Sequence, residues 1–141
     1  MATKAIVCDV DDTLINSQGN GISKTVSFIN SHGDGYRIII VTARNTSRKS
    51  KTEEQLKEIG IKYDEIHLNP GSSAPGAARS YKKDVMARLI KKYDVVLAID
   101  NSQQARSAYE SLGVKSIHPN SLSPTSLSKS LWDGKFNPIG Y

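Results

Sequence analysis

The sequence predicts an α/β domain of three layers, built on a parallel five-stranded sheet with strand order 3-2-1-4-5. Three observations predict it. Short apolar, β-branched runs alternate with segments of helical periodicity. Glycines and prolines punctuate the boundaries between them. The polar residues that call for an explanation fall directly after the strands, at the end where open parallel sheets bind ligands.

Residues 4–8 are a short apolar run and give the first strand. Over 22–31, Ile22, Val26 and Ile29 share one helical face, and Gly33 and Gly35 end that helix. Residues 36–41 are β-branched and give the second strand. Residues 47–59 predict a polar, mostly exposed helix, with Glu53 and Lys57 one turn apart as a supporting pair and Gly60 as its stop. Residues 63–68 give a weaker third strand. Residues 69–79, rich in Gly, Pro, Ser and Ala, predict a loop. A helix follows over about 80–92, with Val85 and Leu89 turned inward. Residues 94–99 carry the clearest buried strand. Ala105, Ala108, Tyr109 and Leu112 recur at helical spacing before Gly113, and 114–117 give the last strand. Residues 119–141 are rich in Ser and Pro and lack periodicity. They predict an extended tail on a domain of residues 1–118, with Leu131, Trp132 and Phe136 as anchors.

A chain of 141 residues is long enough for one domain with a proper core. With 38% hydrophobic and 23% charged residues, its composition is globular and not disordered. No apolar run approaches the roughly 20 residues that span a bilayer, and the N-terminus lacks the pattern of a signal peptide. The single cysteine, Cys8, excludes an internal disulfide framework and suits a reducing, cytoplasmic setting. The net charge of +5 and pI near 9.3 fit an ordinary soluble surface or attraction to a polyanion such as nucleic acid. No groove-reading helix or aromatic RNA platform is marked, so charge alone does not decide.

Right-handed crossovers make the chain reverse direction between strands one and four. Asp9 follows the first strand, Asp100 the fourth, and Thr42 ends the second, so these residues converge at that switch point. Asp9, Asp11, Asp12 and Asp100 then crowd several negative charges. Two carboxylates about 4 Å apart repel by roughly 1 kcal/mol in water and about 4 kcal/mol at an effective dielectric of 20. Such a cluster needs a cation or raised pKa values. Oxygen-only ligands suit a hard ion, with magnesium the natural choice, and no His or Cys cluster points to zinc. A carboxylate beside such an ion can attack phosphorus. A second carboxylate two residues on can protonate the leaving oxygen and later activate water.

Cys8-Asp9-Val10-Asp11-Asp12-Thr13-Leu14 resembles the first motif of the haloacid dehalogenase (HAD) superfamily of phosphohydrolases, Asp-x-Asp-x-Thr/Val. Val41-Thr42-Ala43-Arg44 resembles the second, Lys82 the third and Val96-Leu97-Ala98-Ile99-Asp100 the fourth, in the family's order. The resemblance implies a Rossmann-like, HAD-like fold and a phosphatase activity with Mg2+ as cofactor. It implies Asp9 as nucleophile and metal ligand, and Asp11 as general acid/base with its backbone carbonyl on the metal. Thr42, Ala43, Arg44 and Lys82 would bind the phosphoryl group, and Asp100 would complete the metal site. Lys82 is favoured over Lys83 because it shares a helical face with Val85, Met86 and Leu89.

The sequence is also similar to the phosphatase domain of phage polynucleotide kinases, through Thr-x-Arg, Tyr63-Asp64, Lys82 and Tyr93-Asp94-Val95. That similarity implies a polynucleotide 3′-phosphatase, with phosphorylated nucleic acid ends as substrate and a kinase domain or chain as partner. The subfamily has two acidic residues where this chain has Asp100-Asn101. The segments between motifs leave no room for a cap domain, so the site is expected to be open. The alternatives are a nucleotidase or other small-molecule phosphatase, and a phosphate- or nucleic-acid-binding module without turnover. A receiver domain is disfavoured, since its phosphoacceptor follows strand three, where this chain has Leu68-Asn69-Pro70. Arg44 stands between a substrate phosphate contact and a solvated loop charge. Asp12 reads as a turn residue. His32, His67 and His118, and the run Arg48-Lys49-Lys51, read as ordinary surface or partly buried groups.

Overall fold

Five strands form one sheet: β1 (Lys4–Cys8), β2 (Arg37–Asn45), β3 (Glu65–Asn69), β4 (Asp94–Ile99) and β5 (Ser116–Ile117). Their order is β3-β2-β1-β4-β5, as the sequence predicts, and each neighbouring pair is parallel. The structure, a computed structural model, describes residues 2–127. The expected anchors Leu131, Trp132 and Phe136 lie outside the described residues.

Side chains alternate along each strand, and this alternation builds the layers. Ile6, Cys8, Ile38, Ile40, Leu97 and Ile99 enter one apolar cluster with Phe28 and Ile29 of α1 (Ser23–His32) and Leu56 of α2 (Lys49–Glu58). Ala5, Val7, Ile39, Val41 and Ala98 enter the other. There they meet Val85, Met86 and Leu89 of α3 (Pro75–Lys92), and Ala105 and Tyr109 of α4 (Gln103–Ser111). Covered on both faces, β1 and the middle of β2 must be apolar at every position. Each fully buried isoleucine or leucine there contributes about 1.5–3 kcal/mol.

Helix α2 and strand β3 differ from the sequence-based boundaries by one or two residues, and three elements depart further. The stretch 69–79 is not all loop, because α3 already begins at Pro75. Proline is favoured at the first helical position, where its missing N–H is no loss. Strand β2 runs on to Asn45, which pairs with Asn69, so Thr42–Arg44 lie inside the strand where its register against β3 shifts. Strand β5 is only two residues long. Beyond it, a 3₁₀ turn (Pro119–Ser121) leads to Leu122 and Leu127, both buried in the α1-side cluster. Among the described residues no helix is long and apolar enough to cross a membrane. No separate domain interrupts the chain between β1 and β2, or between β2 and α3.

Candidate active site

Asp9 is the first residue past β1, and its amide donates to the Ile99 carbonyl of β4 (3.0 Å). The chain then turns tightly: the Val10 carbonyl accepts from the amides of Thr13 (3.2 Å), Leu14 (2.9 Å) and Ile15 (3.0 Å). Asp12 adopts φ +59°, a left-handed conformation that Asp tolerates better than most residues. Val10, Leu14 and Ile15 are buried and pin this turn from beneath. Its polar side chains therefore line the opening above the sheet, together with Thr42 and Ala43 of β2 and Asn101 and Ser102 after β4.

The Asp9 and Lys82 side chains are only 6% exposed, and Asp100 is fully buried. Lys82, on the inward face of α3, donates to Asp9 Oδ1 at 3.1 Å and to Asp100 Oδ2 at 2.7 Å. Lys83 is only half-buried, and the helical-face argument for Lys82 agrees with this placement. One ammonium thus faces two carboxylates. Burial pushes the Asp9 carboxyl up to about 7, with Asp100 adding to the rise and Lys82 only partly opposing it. Burial works against the Lys82 charge, but Asp9 and Asp100 outweigh it and raise its pKa. The second Asp100 oxygen accepts from the Ser102 amide at 2.9 Å. Both oxygens of Asp100 therefore already have protein partners.

Asp11 stands at the mouth with its side chain 54% exposed, held by Arg44. Arg44 Nε donates to Asp11 Oδ2 (2.9 Å) and Nη2 to Oδ1 (2.7 Å), a two-pronged clamp. Its Nη1 donates to Thr52 Oγ1 (3.0 Å) and Gln55 Oε1 (2.7 Å) of α2. Arg44 is therefore not a solvated loop charge: it is buried in strand β2. The Thr42 hydroxyl oxygen accepts from the Arg44 amide (3.1 Å), which leaves its proton available to another acceptor.

One terminal atom of the Asn101 carboxamide lies 3.0 Å from Asp9 Oδ2 and 3.1 Å from the Asp11 carbonyl oxygen. With nitrogen there, the amide donates to both. With oxygen there, three oxygens face one another. Thr13 braces the arrangement: its hydroxyl donates to Asp9 Oδ2 (3.0 Å) and accepts from the Asn101 backbone amide (3.1 Å). Oxygens bound to one octahedral cation at 2.0–2.1 Å stand about 2.9 Å apart, so this spacing fits magnesium. The donor chemistry fits too, being carboxylate, carbonyl and amide oxygen without sulfur or imidazole. Among the described residues no three His, Cys, Asp or Glu side chains gather as a metal site. Carboxylates alone do not make one here.

The opening has a volume of about 290 Å³. Sequence reasoning missed two of its walls. Arg79, three residues before Lys82 on α3, and Gln104 of α4 both line it and are exposed. Helical spacing from Lys82 was a signal for Arg79, lost because residues 69–79 read as loop. A separate apolar groove between α1 and Leu122–Pro124 lies away from this chemistry.

Two solved structures containing Pnkp1 in complex with Rnl and Hen1, one of them described as an RNA repair complex, share this fold. They match with TM-scores of 0.74 and 0.76, at 20% identity over 83% of this chain. The chain spans less than half of those matched chains, 42% and 46%. A haloacid dehalogenase-like family hydrolase from Streptococcus pneumoniae matches with a TM-score of 0.58 and 13% identity, over 82% of this chain and 83% of its own. No curated protein matches the chain by sequence. The family described as HAD superfamily, subfamily IIIB (acid phosphatase) matches residues 16–105, a stretch that starts just after the Asp9 turn and includes Thr42, Lys82 and Asp100. With that match covering more than half of its length, the chain belongs to the HAD superfamily, subfamily IIIB, and is a phosphatase.

Proposed function

We propose that the chain is a magnesium-dependent phosphomonoester hydrolase that forms an aspartyl-phosphate on Asp9 and acts on 3′-phosphate ends of nucleic acid. One observation carries the chemistry: a buried carboxylate, Asp9, sits at a strand end beside Lys82 and opens onto a cavity whose mouth holds Asp11. Asp9 attacks phosphorus, the P–O bond to the leaving group breaks, and Asp11 gives its proton to the departing oxygen. Water then attacks the same phosphorus, Asp11 takes the water's proton, and Asp9 and inorganic phosphate are released. The Thr42 hydroxyl, the Ala43 amide and Lys82 bind phosphoryl oxygens, and Lys82 offsets their charge as it grows. Arg44 acts through Asp11, which it orients. Magnesium, when bound beside Asp9, the Asp11 carbonyl and the Asp100-Asn101 pair, lowers the repulsion between the attacking carboxylate and the phosphate dianion.

The substrate class is supported by three things. Among the described residues no cap covers the site, so a large substrate can reach it. The charge of +5 favours a polyanion. The fold is like that of Pnkp1 from an RNA repair complex, and this chain corresponds to less than half of it, which also supports a partner domain or chain. The exposed Arg79 on the rim is suited to a second phosphate of such a substrate.

The test compares turnover of a 3′-phosphorylated oligonucleotide, a nucleoside 3′-monophosphate and p-nitrophenyl phosphate, with and without Mg2+. The oligonucleotide should be preferred, and Asp9→Asn should lose at least about 10⁴-fold on all three. A clear preference for the mononucleotide would refute the substrate class. Full activity of Asp9→Asn would refute the mechanism.

A further inference from the structure

We propose that the strand of a nucleic acid substrate, beyond its terminal phosphate, lies across the carboxyl ends of β2 and β3, with its backbone phosphates on Arg79 and on Arg48, Lys49 and Lys51 at the start of α2. The proposal rests on the polynucleotide reading above and goes beyond it by saying which surface holds the strand.

The positive charge of the chain is concentrated in one place. Two segments flank the opening on the side of β2 and β3, residues 44–52 and 68–83. They carry seven lysines and arginines and no aspartate or glutamate. The rest of the chain has 12 basic and 14 acidic residues, so the net charge of +5 is a local excess and not an even coat. The two segments are stitched together. Asn45 pairs with Asn69 in the sheet, and its Nδ2 donates to the Gly71 carbonyl (3.1 Å). Arg79, in the second turn of α3, lines the opening itself. Thr52 and Gln55 of α2 hold Arg44, whose other nitrogens clamp Asp11 at the mouth. The start of α2 and the start of α3 therefore share one rim. Between them residues 70–74, Pro-Gly-Ser-Ser-Ala, are exposed and carry no bulky or charged side chain.

Folding does not call for these charges. The amino end of a helix carries partial positive charge and prefers acidic side chains. The first turn of α2 has none; it holds Lys49 and Lys51, with Arg48 just before it. All three are exposed, as is Arg79, and among the described residues no carboxylate pairs with any of the four. Cations set against their own helix dipole and left unpaired are ready for an anion from outside. A polynucleotide backbone offers a row of such anions, whereas a mononucleotide has only the phosphate that the site consumes.

The experiment measures kcat/KM on a 3′-phosphorylated oligonucleotide and on the matching nucleoside 3′-monophosphate over a range of salt concentrations. It compares wild type with the combined variant Arg48→Glu, Lys49→Glu, Lys51→Glu. The control, Lys4→Glu, Lys62→Glu, Lys115→Glu, makes the same charge change at exposed positions near the amino ends of the strands. Acidic side chains suit the first turn of α2, so the α2 variant should fold, and glutamines at the same positions should give a smaller loss of the same kind. The ratio of kcat/KM on the oligonucleotide to that on the mononucleotide should fall about tenfold or more in the α2 variant and hold in the control. The log–log salt slope on the oligonucleotide should become shallower by about 2, for three single-strand contacts at about 0.7 each. An α2 variant that keeps the wild-type ratio and slope would overturn the proposal. So would a control that loses as much, or a loss shared equally by both substrates, since the charge would then act at a distance and not on a strand. A wild type with no preference for the oligonucleotide would sink the polynucleotide reading and this inference with it, whereas a preference that survives in the α2 variant sinks this inference alone.

Discussion

Two ionic clusters flank opposite ends of the same sheet, and they are built on opposite rules. At the carboxyl ends of the strands, one lysine, Lys82, is shared between two buried carboxylates, Asp9 and Asp100. Toward the amino end of edge strand β3, one carboxylate, Glu65, collects three donors: Lys92 Nζ at 2.8 Å, His67 Nε2 at 3.0 Å and the Tyr93 hydroxyl. The pKa shifts point in opposite directions. Asp9 is pushed up to about 7, while Glu65, despite partial burial, is brought down to about 2 by Lys92, Tyr93 and His67. The first cluster is short of positive charge, and the second is complete. Under the proposed mechanism the first site accepts a cation and a phosphate, which suits under-neutralised carboxylates; a structural clasp has no such need.

The largest break in this comparison is Lys82→Ala. It leaves Asp9 and Asp100 buried with no cation between them, so one of the two must hold a proton or the site must open. Removing one partner of a buried charge network costs about 3–5 kcal/mol. Urea unfolding in chelator should show a loss of that size, with turnover abolished. Added Mg2+ should restore part of the stability, because a cation against Asp9 replaces some of the missing charge. A stability equal to wild type would mean that the cluster is not under-neutralised at all.

Arg44→Ala tests the rim of the same site with a smaller effect. The clamp on Asp11 is lost, but Asp11 itself remains and is solvated. A general acid contributes about 10²–10⁴-fold, and a misplaced one keeps part of that, so a fall of about 10²-fold in kcat is expected. The fall should be steep for a nucleoside 3′-phosphate, whose leaving oxygen needs a proton, and shallow for p-nitrophenyl phosphate, whose leaving group does not. Equal losses on both substrates would place Arg44 on the phosphoryl group and not behind Asp11.

The two clusters also differ in how far the sequence announced them. The convergence of Asp9, Thr42, Lys82 and Asp100 was legible because Asp9 and Asp100 follow strands, Thr42 closes the β-branched run of β2 and Lys82 shares a helix face with apolar residues, and the alternation of apolar runs already set the strand order. The partnership of Arg44 with Asp11 was not, since no spacing links residues 33 apart in sequence. Nor did α2 announce it: Thr52 and Leu56 share its buried face, but the Thr52 hydroxyl already donates to the Arg48 carbonyl (2.8 Å), so the helix by itself asks for no partner from the sheet. Asn101 was legible only as a departure from a pattern, because the use of its amide depends on where Asp9 Oδ2 and the Asp11 carbonyl point. The Glu65 clasp needed the end of α3 to arrive beside β3, a tertiary event that local periodicity does not encode.

That clasp gives the smallest effect and the sharpest contrast. Glu65→Gln keeps the shape and an acceptor oxygen but removes the charge. Lys92 is well exposed, so its pairing with Glu65 is screened by water, and the expected loss is no more than about 1 kcal/mol. Its pH dependence identifies it. The folded pKa of Glu65 lies below its usual value of 4.5, so the charged form is favoured by folding. Its contribution is fully present above about pH 4.5 and is lost as pH falls toward about 2. Wild type and Glu65→Gln should therefore differ in stability at pH 6 and converge near pH 2, with equal kcat throughout the range where both are folded. A kcat that fell with Glu65→Gln would couple this end of the sheet to the site, and the division between an under-neutralised active site and a self-sufficient clasp would no longer hold.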